Sequence, residues 1–334
     1  MIVLPISSLR KTDVLLAGGK GASLGELVRA GAKVPPGFVV TSMAYKAYIE
    51  YNNIDRLIYK LERRDGDPLA LAAKIREAIL NGEVPDDLKR ELMKIREEFS
   101  RDYLAVRSSA TYEDSPEFSF AGIHETYLGV RGEEVEYYVK KVWASNFEDR
   151  AVTYKLDNRI PPSKVYMAVV VQKLLNPKAA GVAFSLDPRN GDRSVVVIES
   201  NWGLGESVVS GEVTPDRFVV SKITNEVVKK EISPSKNVMY VMENGRVVHK
   251  ETPPEAAVAP SLSDEEVLEI TRQVVSLERY FGYAVDVEWA VEGDVYILQS
   301  RPETVWSRKA AEAKWISTGD IIKDIVYNLL SFKL

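Results

Sequence analysis

Ala284-Val285-Asp286-Val287-Glu288-Trp289-Ala290-Val291, Glu292-Gly293-Asp294, Val295-Tyr296-Ile297-Leu298-Gln299-Ser300-Arg301: two alternating runs around a glycine turn spell an antiparallel hairpin. The period of two puts Asp286, Glu288 and Ala290 on one face of the first run, and Gln299 and Arg301 on one face of the second. Just upstream, Ser263-Asp264-Glu265-Glu266 begins a helix with acidic residues at its positive dipole end, and the helix reaches about Phe281. Further back lie more strands. Val165 to Leu174 is β-branched and almost unbroken, as a buried strand should be. Ala180–Leu186, Ser194–Ser200, Arg217–Ser221 and Val238–Val241 continue the series, with turns at Asn190-Gly191 and Asn244-Gly245. Tyr103–Arg107 reads as a strand followed by a polar loop from Ser108 to Asp114, and Glu133–Tyr154 as one helix. Between Ser42 and Ser100 the pattern is helical, cut into about three helices by Asp65-Gly66-Asp67-Pro68 and Asn81-Gly82-Glu83-Val84-Pro85. Hairpins and helices mix without a regular βαβ rhythm and without an internal repeat, so the fold class is α+β.

Composition narrows the function classes. The chain has 334 residues, 45% hydrophobic and 28% charged, enough for one large or two medium domains with real cores. With 44 basic and 49 acidic side chains the formal charge is −5, which gives no reason to expect nucleic-acid binding. There is no cysteine, which removes disulfides, thiolate zinc sites and cysteine catalysis together, and fits a reducing cytoplasm. His124 and His249 lie too far apart for a local metal motif. The apolar runs are shorter than a membrane span, and Met1-Ile2-Val3-Leu4-Pro5 lacks a basic leader start. The expectation is a soluble cytoplasmic protein.

Four places carry residues suited to chemistry. Gly18-Gly19-Lys20-Gly21, with Ser23, sets a cation among glycines ahead of a helix N-terminus, a place for an anion. It is neither a Walker A loop nor a dinucleotide fingerprint, and it reads as well as a tight turn with a solvated lysine. Arg107 at a strand end, followed by Ser108 and Ser109, suits a phosphate clamp, or an ion pair with Glu113 or Asp114. Gln172-Lys173 ends the most apolar strand with hydrogen-bonding capacity for a base edge and a cation for phosphates. Asn201-Trp202-Gly203-Leu204-Gly205-Glu206 is a second glycine-rich turn, with Trp202 a candidate for the core. On the hairpin, Glu288 and Gln299 are oxygen donors suited to Mg²⁺ that already holds phosphates. Asp286 is a further carboxylate and Arg301 a charge for a transferring phosphoryl group. Taken alone, the hairpin reads equally as an ordinary polar outer face.

Together these residues carry a resemblance. Gly18-Gly19-Lys20-Gly21-Ala22-Ser23-Leu24-Gly25-Glu26 with Val34-Pro35-Pro36-Gly37-Phe38, and Val106-Arg107-Ser108-Ser109-Ala110-Thr111 through Ser119-Phe120-Ala121-Gly122-Ile123-His124-Glu125-Thr126, resemble the start of phosphoenolpyruvate synthase and pyruvate phosphate dikinase. So do Val171-Gln172-Lys173, Ala180-Gly181-Val182-Ala183-Phe184, Trp202-Gly203-Leu204-Gly205-Glu206, Pro215-Asp216-Arg217, Asp286-Val287-Glu288-Trp289-Ala290 and Leu298-Gln299-Ser300-Arg301-Pro302-Glu303-Thr304. The motifs stand in family order over about residues 15 to 304. The resemblance implies an ATP-grasp-like domain of two or three subdomains with the nucleotide in the cleft between them. It implies that Lys20 and Arg107 hold phosphates with Thr126 beside them, and that Gln172 sits near the nucleotide base; Lys173 joins the nucleotide-binding set from its place at the strand end. Glu288 and Gln299 would ligate Mg²⁺, and Arg301 would stabilise the phosphoryl group in flight. The expected division is 1–105 with the glycine loop and helices, 106–303 ending in the hairpin, and 304–334 as a linker or docking helix around Ile321–Phe332.

The resemblance also implies a partner. Such enzymes pass phosphate from ATP to a histidine in a motif like Gly-Gly-x-Thr-Ser-His-Ala, and neither Gly122-Ile123-His124-Glu125-Thr126 nor Val247-Val248-His249-Lys250-Glu251 matches it. Nor is there room for the pyruvate-binding barrel, which takes about 250 residues. The expectation is a phosphotransferase domain or subunit serving a phosphohistidine carrier on another domain or chain. The other reading is a stimulatory or regulatory nucleotide-binding subunit without turnover, as in a split phenylphosphate synthase-like system.

Overall fold

A computed structural model describes residues 2–111, the backbone of 114–115 and 118–119, and residues 125–306. Most of the 112–124 stretch, including His124, and the expected tail helix lie outside the described residues.

The chain opens with β1 (Val3–Pro5), α1 (Val14–Arg29) and β2 (Gly37–Val40), followed by α2 (Ser42–Tyr51), α3 (Asp55–Glu62), α4 (Pro68–Asn81) and α5 (Asp86–Glu98). It continues through β3 (Leu104–Ala110), the short β4 (Asp114–Ser115) and β5 (Phe118–Ser119), β6 (Thr126–Val130), α6 (Val135–Ser145), α7 (Asp149–Asp157) and β7 (Met167–Lys173). The remainder is β8 (Ala179–Phe184), β9 (Val195–Trp202), α8 (Glu206–Val209), β10 (Asp216–Ser221), β11 (Val227–Glu231), β12 (Val238–Glu243), β13 (Arg246–Glu251), α9 (Pro254–Val258), α10 (Asp264–Phe281), β14 (Val285–Glu292) and β15 (Asp294–Pro302). Helices and antiparallel sheets mix, so the architecture is α+β.

Two sheets organise the molecule. One has the order β1-β2-β7-β3-β6 and the other β11-β10-β9-β8-β14-β15, and every pairing in both is antiparallel. β7 explains the unbroken apolar run at its position. Met167, Val169 and Val171 face a core shared with α2, α4 and α6, whereas Ala168 and Val170 face a second core that includes α1, α10 and the second sheet. A strand buried on both sides has no polar face to alternate with. Each of its three valines is fully buried, and burial of one such side chain is worth about 1.5–3 kcal/mol.

Helix α10 forms as the sequence dictates. The Ser263 hydroxyl accepts from Glu266 N at 3.3 Å, and the Glu266 carboxylate accepts from Ser263 N at 2.8 Å, a reciprocal cap. Val267, Ile270, Val274 and Leu277 recur at helical spacing and bury against the second sheet. Gly282 closes the helix in the left-handed region at φ 75°.

Three expectations need correction. The stretch Ser42–Ser100 holds four helices, because α2 and α3 are separated where Asn53 takes a left-handed φ of 54°. Glu133–Tyr154 is two helices, because Asn146 turns the chain: its Nδ2 donates to Val165 O at 3.1 Å, and its carbonyl and side-chain oxygens both accept from the Lys155 amine. Ser108 and Ser109 are not loop residues. β3 runs through them to Ala110, paired residue for residue with β7, so Arg107 sits in mid-strand. The strands β11 and β13 have no counterpart in the sequence reading; both are half-exposed, with little apolar alternation to reveal them.

Candidate functional site

Register brings the candidate residues together. In the first sheet Arg107 of β3 pairs with Thr126 of β6, and Ala105 pairs with Leu128 on one side and with Gln172 of β7 on the other. Paired residues share a face, so Ala105, Arg107, Thr126, Leu128 and Gln172 form one surface. In the second sheet Glu288 and Ala290 of β14 pair with Val182 and Ala180 of β8. These two surfaces line one cleft of about 240 Å³. Arg107, Thr126, Gln172, Lys173 and Glu288 all stand in its lining, beside an apolar wall that includes Leu174, Leu175, Leu204, Val209 and Leu298. A mostly apolar cleft with a few convergent polar groups is the general form of a small-molecule site.

The polar residues differ in how they are held. Gln172 is 4% exposed and its amide donates to Pro35 O at 2.9 Å, which ties β7 to the turn before β2. Lys173 pairs with Asp102 at 2.8 Å, and that hydrogen bond holds its amine above the ordinary lysine range. Lys173 N also donates to Pro36 O at 2.9 Å. Thr126 is exposed at the start of β6.

On the hairpin, Glu288 stands opposite Gln299 and Asp286 opposite Arg301. A bulge between Glu288 and Trp289 lets Leu298 join the cleft wall while Ile297 returns to the core opposite Trp289. With the Gln299 amide oriented to satisfy both groups, its oxygen accepts from Arg301 Nε at 2.5 Å and Nη2 at 2.8 Å. Burial pushes the Asp286 carboxyl up to about 6, Glu288 adds to the rise, and Arg301 pulls against it. Among the described residues no group of three or more His, Asp or Glu side chains is placed to hold a metal alone. Glu288 offers a hard oxygen donor for a divalent cation whose remaining ligands come from phosphate or water; the Gln299 oxygen, here turned to Arg301, can join it only by leaving the guanidinium.

Lys20 is reached by another route. Helix α1 packs on β3 and β7 but breaks helical geometry at Gly18, with φ 70° and ψ 175°. A Cβ at Gly18 would lie 2.0 Å from Ser109 O, and one at Gly25 would lie 2.6 Å from Leu9. The glycines therefore serve close packing of α1, and the segment is a kinked helix rather than a loop entering one. The Ser109 hydroxyl, which the sequence placed in a polar loop after Arg107, is buried and bonded to α1: it donates to Ala17 O at 2.8 Å and accepts from Gly21 N at 3.0 Å. Lys20 is half-buried just beyond the kink. Lys20, Gln299 and Arg301 are not among the residues lining the cleft.

The turn Trp202–Glu206 contributes more than its sequence showed. Trp202 is half-buried and donates from its indole to Ala256 O at 2.7 Å. Gly203, at φ 73°, bridges to Tyr240, and so docks the β12–β13 hairpin whose Val247 reaches the cleft. Glu206 lines the cleft as an acidic group; its place after Gly203-Leu204-Gly205 was the available signal.

No helix among the described residues is long and apolar enough to cross a membrane. A family model described as the pyruvate phosphate dikinase AMP/ATP-binding domain matches residues 14–318. A probable phosphoenolpyruvate synthase of Methanothermobacter thermautotrophicus is 41% identical over 330 residues, covering 95% of this chain and 48% of that protein. The phosphoenolpyruvate synthase of Aeropyrum pernix is 38% identical over 94% of this chain and 43% of its own length. The rifampicin phosphotransferase of Bacillus subtilis is 38% identical over 91% of this chain and 36% of its own length. The chain thus spans less than half the length of these relatives.

Proposed function

The chain belongs to the pyruvate phosphate dikinase AMP/ATP-binding domain family, and from that premise we propose that it binds Mg·ATP between its two sheets in an ATP-grasp-like manner and passes phosphate to a histidine on another domain or chain. The observation that carries this reading is convergence: Arg107, Thr126, Gln172, Lys173 and Glu288, spread over 182 positions from 107 to 288 inclusive, line one cleft.

In this reading the apolar wall takes the base, with Gln172 and Lys173 nearby. Arg107, Thr126 and Lys20 hold phosphate oxygens. Glu288 and Gln299 hold Mg²⁺, which supplies charge neutralisation across the phosphates when bound. Arg301, whose guanidinium the Gln299 oxygen gives up when it turns to Mg²⁺, faces the phosphoryl group in transfer. Phosphoryl transfer asks little covalent chemistry of a protein, so positioning and charge carry the rate.

The relatives named phosphoenolpyruvate synthase and rifampicin phosphotransferase support phosphotransfer as the class. The acceptor histidine and the final substrate belong to the proposal. The test is incubation with Mg²⁺ and ATP labelled at the β and γ phosphates, with and without the carrier domain of a relative. Acid-labile label on the carrier histidine, lost in Arg301→Ala, supports transfer. Saturable ATP binding with no label on any carrier supports the alternative, a regulatory nucleotide-binding subunit.

A further inference from the structure

We infer that Ser109 is a positioning residue for Lys20, acting as a hydroxyl inserted into the hydrogen-bond ladder of α1. In an unbroken α-helix the amide of Gly21 would bond to the carbonyl of Ala17, four residues back. Here one hydroxyl stands between them, donating to Ala17 O at 2.8 Å and accepting from Gly21 N at 3.0 Å. A side chain inserted in the ladder is a recognised cause of a helix kink, and the non-helical residue, Gly18, falls inside the interrupted turn. The fit leaves no room for a side chain at Gly18. A Cβ on Gly18 would lie 2.3 Å from Ser109 Oγ, and Gly18 holds a left-handed φ that glycine alone adopts freely.

The position of Ser109 along its strand gives the kink a purpose. Ala105, Arg107 and Ser109 share one face of β3 by period two, while Leu104, Val106 and Ala110 bury in the opposite core. The first two line the cleft; the third, about 7 Å beyond Arg107, grips α1. One strand therefore carries the Arg107 guanidinium and also fixes the helical turn that bears Lys20. The backbone sets the two cations in register. Without the hydroxyl, Ala17 O and Gly21 N are free to pair directly. The turn then closes, Lys20 moves, and little stability is lost because the two groups satisfy each other.

This inference rests on the nucleotide reading of the cleft, and the test separates the two. ATP affinity and thermal midpoint are measured for the wild type, Ser109→Ala, Lys20→Ala and the double variant. Labelling of Lys20 by an amine-reactive reagent is followed by mass spectrometry without ATP. The expected result is that S109A weakens ATP binding about tenfold or more while the thermal midpoint barely moves. It also changes the Lys20 labelling rate, and it adds nothing in the Lys20→Ala background. If S109A does not fold, Ser109→Gly, which removes the hydroxyl without adding volume, takes its place. Wild-type affinity and wild-type Lys20 labelling in the variant overturn the inference, as does an equal loss of affinity in the Lys20→Ala background. Absence of ATP binding by the wild type overturns the nucleotide reading alone; a changed Lys20 labelling rate would still support Ser109 as its positioner.

Discussion

Lys155 offers a stability experiment whose sign and size follow from its surroundings. Its side chain is fully buried, lies 5.1 Å from the centroid of the Phe147 ring, and donates to the Asn146 carbonyl and side-chain oxygens at the break between α6 and α7. Burial pushes its amine down to about 7 from an ordinary 10.5. Between those values the unfolded chain holds a proton that the folded chain does not. Folding stability is therefore fully present above the ordinary lysine value, falls as the pH drops through this window, and levels off below about 7. The full shift corresponds to a ceiling of about 5 kcal/mol, at 1.36 kcal/mol per unit. The two acceptors favour the charged amine and reduce that ceiling, so about 1–2 kcal/mol is expected between about pH 7 and 9.5. Urea unfolding of the wild type and Lys155→Met at both pH values isolates the effect, because every other titrating group cancels in the difference. Methionine also leaves the Asn146 oxygens without a donor, a loss that does not vary with pH. The wild type should gain on the variant by that amount as the pH rises. Parallel pH profiles would refute the argument.

Two further substitutions probe the frame around the cleft. Lys236 and Asp216 form a fully buried ion pair at 2.5 Å, with Asp216 also accepting from Ser233 N, Ser261 N and Ser261 Oγ. Lys236→Met removes the ammonium partner of that buried carboxylate and should cost about 3–5 kcal/mol in urea unfolding at pH 7. Gly203→Ala sets a Cβ 2.2 Å from Tyr240 O at a left-handed φ; it should cost about 2–4 kcal/mol and weaken ATP binding as the hairpin bearing Val247 draws back, both read by titration of one preparation.

How much of this was legible beforehand depended on whether the signal was local. The hairpin β14–β15 was readable because alternation and a glycine turn are local properties, whereas the bulge that brings Gln299 opposite Glu288 was not. The capped helix α10 was readable for the same reason. The kink in α1 was legible only in part: the glycines at 18, 19 and 21 read as a turn ahead of a helix, but the bond that Gly21 makes to Ser109, 88 residues away, did not. The break between α6 and α7 was hidden because the helical periodicity runs through Asn146, whose side chain is used by Val165 and Lys155 from elsewhere. The cleft lay between these cases. Its residues were chosen from short motifs and from a family resemblance, while their convergence depends on pairings among β3, β6, β7, β8 and β14 that no single segment encodes.

The central claim, a magnesium-bound nucleotide held between the two sheets, is tested most directly by calorimetric titration of ATP with and without Mg²⁺, on the wild type and Glu288→Gln. The account predicts saturable ATP binding that Mg²⁺ tightens in the wild type, with the tightening lost in the variant while its unfolding midpoint stays unchanged. A wild type that does not bind ATP, or a variant that keeps the full Mg²⁺ effect, would contradict it.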